Sequence, residues 1–355
     1  MSGEDTGVAD DPGGDPTSVP VGIEPDRVTR WMEANVDGVS PPLSFSLIAG
    51  GHSNLTYRVE DSRGRALVLR RPPTGHVLAT AHDMAREHRI VTAVGRSDVP
   101  VPTTLGLCTD ETVNGAPFYV MNFVEGAVLH DEETAAGIDA SERRSIGFHL
   151  VEVLAQLHSV DPDRVGLGEL ARRDGYIARQ LKRWARQWES SKTRDLAEMD
   201  DSHRLLSERL PEQIGTAIVH GDYRLGNMIT GGGQVRAVLD WELCTLGDAM
   251  ADVGYLMNNW VAPGELPSGT SSPTLAGGFP SRRELLDRYA ELSGRDVGQV
   301  DYYRAFSYWR LAAIVEGVLN RYLHGAMGDT EDVDLDLFRS QVETLATSAM
   351  EFLES

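Results

Sequence analysis

The sequence predicts an α+β fold of two lobes, a small β-rich N-terminal lobe followed by a larger helical C-terminal lobe. Short runs of strand-forming residues at 55–59, 66–70 and 118–121 occupy the first third of the chain. A long stretch with apolar residues at helical spacing follows at 141–159. The 355 residues are enough to form a hydrophobic core in each lobe.

The order of elements gives the expected boundaries. Residues 1–20 are rich in Gly, Asp, Pro and Ser and poor in apolar side chains, which predicts a disordered acidic tail. A helix is expected at 24–36, and the lobes are expected to cover 21–124 and 125–355. Besides the one at 141–159, the helices expected in the second lobe lie at 176–188, 282–292 and 301–323.

Composition excludes several classes of function. The net charge of −21 argues against a nucleic-acid backbone as partner, and no run of eighteen apolar residues is present to span a membrane. The N-terminus has no basic-then-apolar signal pattern, so a cytoplasmic location is expected. Two cysteines fit a reducing compartment. Of these, Cys244 is expected to be a small buried residue rather than a nucleophile.

Two short segments carry the chemistry. Residues 220–227 read His-Gly-Asp-Tyr-Arg-Leu-Gly-Asn, and residues 239–242, after an apolar strand, read Leu-Asp-Trp-Glu. Phosphoryl transfer requires a carboxylate that accepts a hydroxyl proton, here Asp222. It also requires a carboxamide and a second carboxylate to hold Mg²⁺, here Asn227 and Asp240. Asp-rich loops between strands are common, so the full combination decides the interpretation and not the Asp-x4-Asn spacing alone.

The combination closely resembles the aminoglycoside phosphotransferase superfamily, whose loop reads His-Gly-Asp-x4-Asn. Residues 247–255, Gly-Asp-Ala-Met-Ala-Asp-Val-Gly-Tyr, are also similar to that family. The likeness covers roughly residues 40–325 and is closest to kinase-like domains related to those fused to acyl-CoA dehydrogenases and to their actinobacterial relatives. It implies a protein-kinase-like fold, ATP and Mg²⁺ as cofactors, and a small hydroxylated acceptor that is hydroxyacyl-CoA-like or aminoglycoside-like.

A small-residue turn before the first predicted strand is the candidate phosphate cover. Gly50 and Gly51 would let backbone amides approach phosphate oxygens, with Ser53 and Asn54 as side-chain contributors. The segment lacks a complete Gly-x-Gly-x-x-Gly pattern. An ordinary turn is therefore the alternative.

Kinases place a lysine on a following strand, but the N-terminal half of this chain contains no lysine. Arg70 takes the matching place, with Arg71 as the fallback because neighbouring strand residues face opposite sides. Glu87 lies on an otherwise apolar helix stripe and is the expected partner of Arg70. The alternative is that Glu87 borders a solvated face.

Residues after the third predicted strand resemble the hinge between kinase lobes. The resemblance implies that the backbone of Met121, Asn122, Phe123 and Val124 binds the adenine edge.

Two charged loop residues have open roles. Arg224 binds either a phosphate or an anionic acceptor, or it pairs with Asp248 or Asp252. His220 is expected to order the loop by hydrogen bonds and not to act as the base.

The interpretation is an ATP-dependent small-molecule kinase that phosphorylates a hydroxyl. The alternative is a pseudokinase that binds nucleotide without turnover, favoured by the arginine in place of lysine and by the incomplete glycine loop. The sequence indicates no oligomeric state.

Overall fold

The structure is a computed structural model, and its chain divides into two compact units. The first groups the residues up to His88 with Thr104–Phe123, and the second groups Arg89–Thr103 with Val124–Ser355. The residues described here are 20–49, 54–74, 83–262, 264–265, 271–325 and 333–355.

The first unit is built on a five-stranded antiparallel sheet with strand order β1-β2-β3-β5-β4. Helix α1 packs its buried residues Val28 and Met32 into the apolar core on one side of this sheet. The elements are α1 (Pro25–Asn35), β1 (Ser44–Ala49), β2 (Leu55–Glu60), β3 (Ala66–Arg71), α2 (Met84–Val94), β4 (Thr104–Cys108), α3 (Glu111–Asn114) and β5 (Phe118–Asn122).

The turn between β2 and β3 is held by one side chain. Asp61 Oδ1 accepts the backbone amides of Arg63 and Arg65 at 2.9 Å each, and Gly64 takes a φ of +78°. Such side-chain-to-backbone bonds replace ladder bonds in tight turns. They fix the register that pairs Thr56 with Arg70.

The second unit is largely helical, with two small antiparallel sheets of orders β6-β8-β9 and β10-β7. Its elements are β6 (Ala127–Val128), α4 (Glu132–Ala136), α5 (Ala140–Ser159), α6 (Pro162–Val165), α7 (Tyr176–Ser191), α8 (Ala197–Glu208), β7 (Ala217–Val219), β8 (Met228–Gly231), β9 (Gln234–Val238), β10 (Thr245–Gly247), α9 (Met250–Asn259), α10 (Arg282–Ser293), α11 (Val300–Leu323) and α12 (Leu335–Glu354).

Residues 89–103 were placed in the N-terminal lobe by the sequence, but they group with the second unit. Their apolar side chains, including Ile90 and Val99, are buried in the core of that unit. The Val238 amide also donates to the Pro100 carbonyl at 2.8 Å. The continuous periodicity of α2 gave no sign of this change, because a helix keeps one pattern whichever core it enters.

Helix limits in the second unit follow their capping residues. Ser281 and Glu284 form a reciprocal capping box that starts α10, within one residue of the predicted helix. The sequence analysis missed α8 and α12. Helix α12 buries an apolar stripe that includes Val342, Leu345 and Ala346 in the core.

Both cysteines are buried, as expected for Cys244, and neither forms a disulfide. Within the described residues, no helix is long and apolar enough to cross a membrane. The predicted tail at 1–20 lies almost entirely outside the described residues.

Candidate active site

The loop after β7 is shaped by backbone constraints. Gly221 has a φ of +88°, and a Cβ there would lie 3.0 Å from both the Cβ and the carbonyl oxygen of Leu243. Only glycine avoids both the left-handed strain and this close approach. A 3₁₀ turn at Leu225–Asn227 follows, and the Leu239 amide donates to the Asn227 carbonyl at 2.9 Å. The two motif segments therefore lie side by side.

The Asp222 carboxylate is held by side chains on both oxygens. Asn227 Nδ2 donates to Asp222 Oδ2 at 2.7 Å and to the Asp222 carbonyl at 2.8 Å. The Tyr255 hydroxyl donates to Asp222 Oδ1, and Arg224 Nε lies 3.3 Å from the same oxygen. The five-residue spacing thus places the Asn227 carboxamide within hydrogen-bond distance of the Asp222 carboxylate.

His220 orders the loop. Its Nδ1 accepts the Asp222 amide at 3.2 Å, so Nε2 carries the proton donated to the Leu239 carbonyl at 2.9 Å. The ring packs edge-on against Tyr223 and Trp241 and is fully buried. With both ring nitrogens engaged by backbone, His220 has a structural role, as the sequence analysis expected.

Asp252, on α9, anchors the same loop. Its buried carboxylate accepts the backbone amides of His220 at 2.6 Å and Gly221 at 2.8 Å, and lies 3.2 Å from His158 Nε2. The Tyr289 hydroxyl lies 2.7 Å from the other nitrogen of His158. Burial raises the pKa of Asp252, but the contacts with His158 and the loop outweigh it, so the pKa lies below its usual value.

The structure decides between the ion-pair partners considered for Arg224. Arg224 does not pair with Asp248 or Asp252, and among described residues its ion-pair partner is Asp222. Asp248 instead accepts the Tyr303 hydroxyl at 2.7 Å, and its other oxygen accepts the Met250 amide at 3.0 Å.

Asp240 is the one non-glycine residue among those described with a positive φ, at +63°. Backbone strain of this kind often accompanies functional sites. No group of three or more His, Cys, Asp or Glu side chains in the described part of the chain is arranged to hold a metal by itself. Mg²⁺ typically takes one or two carboxylates together with phosphate and water oxygens. Asn227 and Asp240, on adjacent loops, carry oxygen atoms of that kind, and their role as metal ligands stays a prediction.

A cavity of about 340 Å³ opens beside Asp222 in the second unit. Its wall is formed by the loop at 220–227, the C-terminal half of α9, the segment near the 3₁₀ turn Pro273–Ala276 and helices α11 and α12. The lining residues are His130, Asp222, Arg224, Leu225, Gly226, Tyr255, Asn258, Asn259, Val261, Ser271, Ser272, Pro273, Leu311 and Gln341.

In the first unit, the predicted contact between Arg70 and Glu87 is confirmed. Arg70 Nε lies 3.1 Å from Glu87 Oε1, and the two side chains are 14% and 3% exposed. Glu87 also accepts from Asn54 Nδ2 at 3.4 Å and from the Tyr119 hydroxyl at 3.3 Å, while Arg70 Nη1 donates to Thr56 at 3.3 Å. Glu87 is therefore buried with partners, and the solvated-face alternative is wrong.

Arg71 points to the other side of the strand, as expected from strand geometry. Its guanidinium donates to the carbonyls of Gly22, of Pro72 at 3.0 Å and of Asn114 at 3.1 Å. Burial lowers the pKa of Arg71. These contacts make Arg71 a structural residue and leave Arg70 as the candidate phosphate ligand.

The other residues predicted to bind nucleotide lie at or directly after the end of strand β5 or outside the described part of the chain. Met121 and Asn122 end β5, and the Phe123 ring lies 4.7 Å from the Arg58 guanidinium carbon. Val124 is the first residue of the second unit's main segment. Their contact with adenine stays a prediction. Gly50, Gly51 and Ser53 lie outside the described residues.

Sequence reasoning did not predict the contacts by which three residues outside the loop at 220–227 hold that loop. Tyr255 and Asp252 both project from α9 to this loop, and Arg310 Nη2 on α11 donates to the Gly221 carbonyl at 3.1 Å. The signal for the α9 pair was present, because both residues lie in the segment that resembles the known family. Nothing local in the sequence marks Arg310.

The fold and the arrangement of the candidate site are typical of one class of proteins. An antiparallel sheet, a mainly helical second unit, and adjacent loops that present Asp222, Asn227 and Asp240 are features of protein-kinase-like phosphotransferases. The sequence pattern of the phosphotransferase enzyme family matches residues 44–301. The chain belongs to this family of small-molecule phosphotransferases.

Individual relatives agree with this assignment. A solved structure from Ralstonia eutropha JMP134, provisionally described as an aminoglycoside phosphotransferase, is 33% identical with a TM-score of 0.79, covering 94% of this chain and 98% of that one. Acyl-CoA dehydrogenase family member 10 of Mus musculus is 34% identical over 323 residues, 87% of this chain. The chain spans 30% of that protein's length.

A more distant structure shares the fold. A thermostable mutant of an aminoglycoside phosphotransferase, solved in a ternary complex with ADP and hygromycin B, is 17% identical with a TM-score of 0.59. The match covers 90% of this chain and 98% of that one.

Proposed function

We propose that the protein transfers the γ-phosphoryl group of ATP to a hydroxyl group of a small-molecule acceptor. The observation that carries this proposal is the Asp222 carboxylate, fixed by Asn227 and exposed to a cavity of about 340 Å³. A carboxylate held in place at the wall of a small polar cavity suits a base that acts on a bound hydroxyl.

The chemistry is in-line displacement. Asp222 orients the acceptor hydroxyl and takes its proton as the oxygen attacks the γ-phosphorus, while the bond to the β-phosphate oxygen breaks and ADP leaves. Asn227 and Asp240 would hold Mg²⁺, which supplies charge neutralisation at the phosphates. Most of the acceleration then comes from positioning and electrostatics, so no covalent enzyme intermediate is required.

In the first unit, Arg70 is assigned the α- and β-phosphates. Guanidinium forms charge-assisted bonds to phosphate oxygens, and Glu87 fixes its orientation through the 3.1 Å contact at Nε. We assign phosphate binding to the terminal nitrogens of this guanidinium. Thr56, which accepts from Nη1, limits the rotation of the group further.

The cavity wall favours an acceptor that is neutral or anionic. Among its described residues Asp222 is the sole acid, while Arg224 carries a positive charge, and most of the other polar lining is amide or hydroxyl. A polycationic aminoglycoside would find one carboxylate there, already contacted by Arg224. The likeness to a region of acyl-CoA dehydrogenase family members supports a hydroxyacyl-CoA-type acceptor in preference to an aminoglycoside.

A screen for ADP release tests the proposal. Purified protein with MgATP would be offered hydroxyacyl-CoA thioesters, free hydroxy acids, neutral polyols and aminoglycosides. We expect acceptor-dependent ADP release with a member of the first three groups and its loss in Asp222→Asn. Release with aminoglycosides alone would contradict the assignment of the acceptor, though not the reaction.

The second candidate is a nucleotide-binding pseudokinase. It is favoured by Arg70, which stands where kinases carry a lysine. It requires MgATP binding with no ADP release for any acceptor. The intact set of Asp222, Asn227 and Asp240 supports turnover instead.

A further inference from the structure

We propose that Tyr255 is a positioning residue that shares Oδ1 of Asp222 with Arg224 and holds the carboxylate in the orientation required to accept a proton. This inference rests on the proposed function for its kinetic consequence and on the structure alone for its geometry. The Tyr255 hydroxyl donates to Asp222 Oδ1, the same oxygen that lies 3.3 Å from Arg224 Nε.

Tyr255 is itself held in place. It lies three residues after Asp252 on α9, so both side chains project from one face of that helix. Asp252 fixes the two amides that precede Asp222 and Tyr255 reaches the carboxylate, so α9 contacts the loop at successive points. The Arg310 guanidinium carbon lies 5.6 Å from the centre of the Tyr255 ring.

The phenol remains a donor under working conditions. Burial, and after it the charge of Asp222, raises the pKa of the Tyr255 hydroxyl above its usual value. Its proton therefore stays available to Asp222 Oδ1, while Asn227 occupies Oδ2 from the other side.

Without the phenol, Arg224 faces no competitor at Oδ1. The closest approach of Arg224 to the carboxylate is through Nε at 3.3 Å, and its planar guanidinium has the geometry to bind a carboxylate through two nitrogens. Removal of the Tyr255 hydroxyl should let Asp222 rotate onto Arg224 as a paired ion. A carboxylate engaged in that way is turned from the cavity and is a poorer base for a bound hydroxyl.

The claim that Tyr255 positions the Asp222 carboxylate can be tested without an acceptor. In a crystal structure of Tyr255→Phe we expect Asp222 to leave its position and pair with the terminal nitrogens of Arg224. In a double-mutant cycle, Tyr255→Phe should lower Tm by about 3 °C in the parent and by less than about 1 °C in an Asp222→Ala background. An unmoved carboxylate, or equal Tm losses in both backgrounds, would overturn the proposal.

The kinetic part uses an acceptor found by the ADP-release screen. Tyr255→Phe should lower kcat about 10- to 100-fold with the KM for ATP unchanged, because only the base is misplaced. Tyr303→Phe is the matched control, since it also removes a tyrosine bond to a carboxylate, at Asp248, but should keep kcat. An unchanged kcat in Tyr255→Phe would reject the positioning role. If the unmutated protein showed no turnover, the proposed function would be wrong. The crystal structure of Tyr255→Phe and the double-mutant cycle would still test whether Tyr255 positions Asp222.

Discussion

Gly221 donates its backbone amide to the carboxylate of Asp252 at 2.8 Å, and this bond joins the loop at 220–227 to helix α9. Gly221 has a φ of +88°, and glycine by itself does little to fix the backbone because it is conformationally permissive. Asp252 constrains the loop backbone from helix α9. In the same helix Gly254 packs closely against α11, because a Cβ at this position would lie 2.6 Å from Tyr303. Loop geometry therefore depends on the packing of two helices.

We expect Asp252→Asn to lower the free energy of unfolding by about 3 kcal/mol at pH 7, because it removes a buried, paired charge. The folded-state pKa of Asp252 lies below its unfolded value. Its contribution is therefore complete above the unfolded pKa of about 3.9 and is lost as pH falls through the folded pKa. Urea unfolding of both proteins from pH 7 to pH 3 checks this. A stability difference that stayed constant over that range would contradict it.

Asp240→Asn should abolish most of the gain in nucleotide affinity that Mg²⁺ provides, since it removes a charged oxygen ligand. Asparagine tolerates a left-handed backbone well, so the φ of +63° at this position adds little strain. Isothermal titration of ATP with and without Mg²⁺ measures the effect. Metal-dependent binding equal to that of the parent would remove Asp240 from the metal site.

Asp222→Asn should keep the fold and nucleotide binding while lowering turnover on the true acceptor by about 10²–10⁴-fold, the usual range for loss of a general base. The amide oxygen of the asparagine can accept one of the two side-chain bonds, from Tyr255 or from Asn227, and Asn227 can still donate to the backbone carbonyl at this position, so the loop should hold. Steady-state ADP release and a nucleotide thermal shift give the two readings. Turnover within a few-fold of the parent would exclude Asp222 as the base.

Arg70→Ala should weaken ATP binding far more than adenosine binding, because the lost contact is to phosphate. Arg70→Lys should restore part of the affinity by returning the charge, and Glu87→Ala should act as a milder Arg70→Ala. The matched control is Arg71→Ala, which should lower Tm without selective loss of ATP, since Arg71 binds three backbone carbonyls. Affinities for both ligands across the four variants decide the assignment, and equal losses in Arg70→Ala would make that arginine structural.

Local patterns in the sequence predicted most of the frame. Strands β2, β3 and β5 and helices α5, α10 and α11 lie within a few residues of their expected limits, because alternation and helical periodicity are local properties. Short β4 was missed because Gly106 interrupts its pattern and its residues are mostly half-buried. The transfer of 89–103 to the second unit depends on tertiary contacts that no local pattern records.

In the candidate site, too, local sequence patterns predicted some features, while others depend on tertiary contacts. The sequence placed Asp222 and Asn227 in one loop but did not predict the hydrogen bond between their side chains, whereas strand alternation was enough to separate Arg70 from Arg71. The sequence could not show that Arg224 would turn to Asp222, because that contact depends on the rotamer of a long side chain. The approach of Tyr255 required the packing of α9 against the loop.

The arginine at position 70 also decides how this protein would behave in activity-based profiling. Reagents that deliver an acyl group from a nucleotide phosphate to a neighbouring lysine amine need such an amine beside the phosphates. The chain has two lysines, Lys182 and Lys192, and both belong to the region of helix α7, where Lys192 pairs with Glu189. A guanidinium stays protonated and does not accept the acyl group. With Arg70 as the proposed phosphate ligand, we expect surveys based on that chemistry to miss this protein and Arg70→Lys to make it detectable.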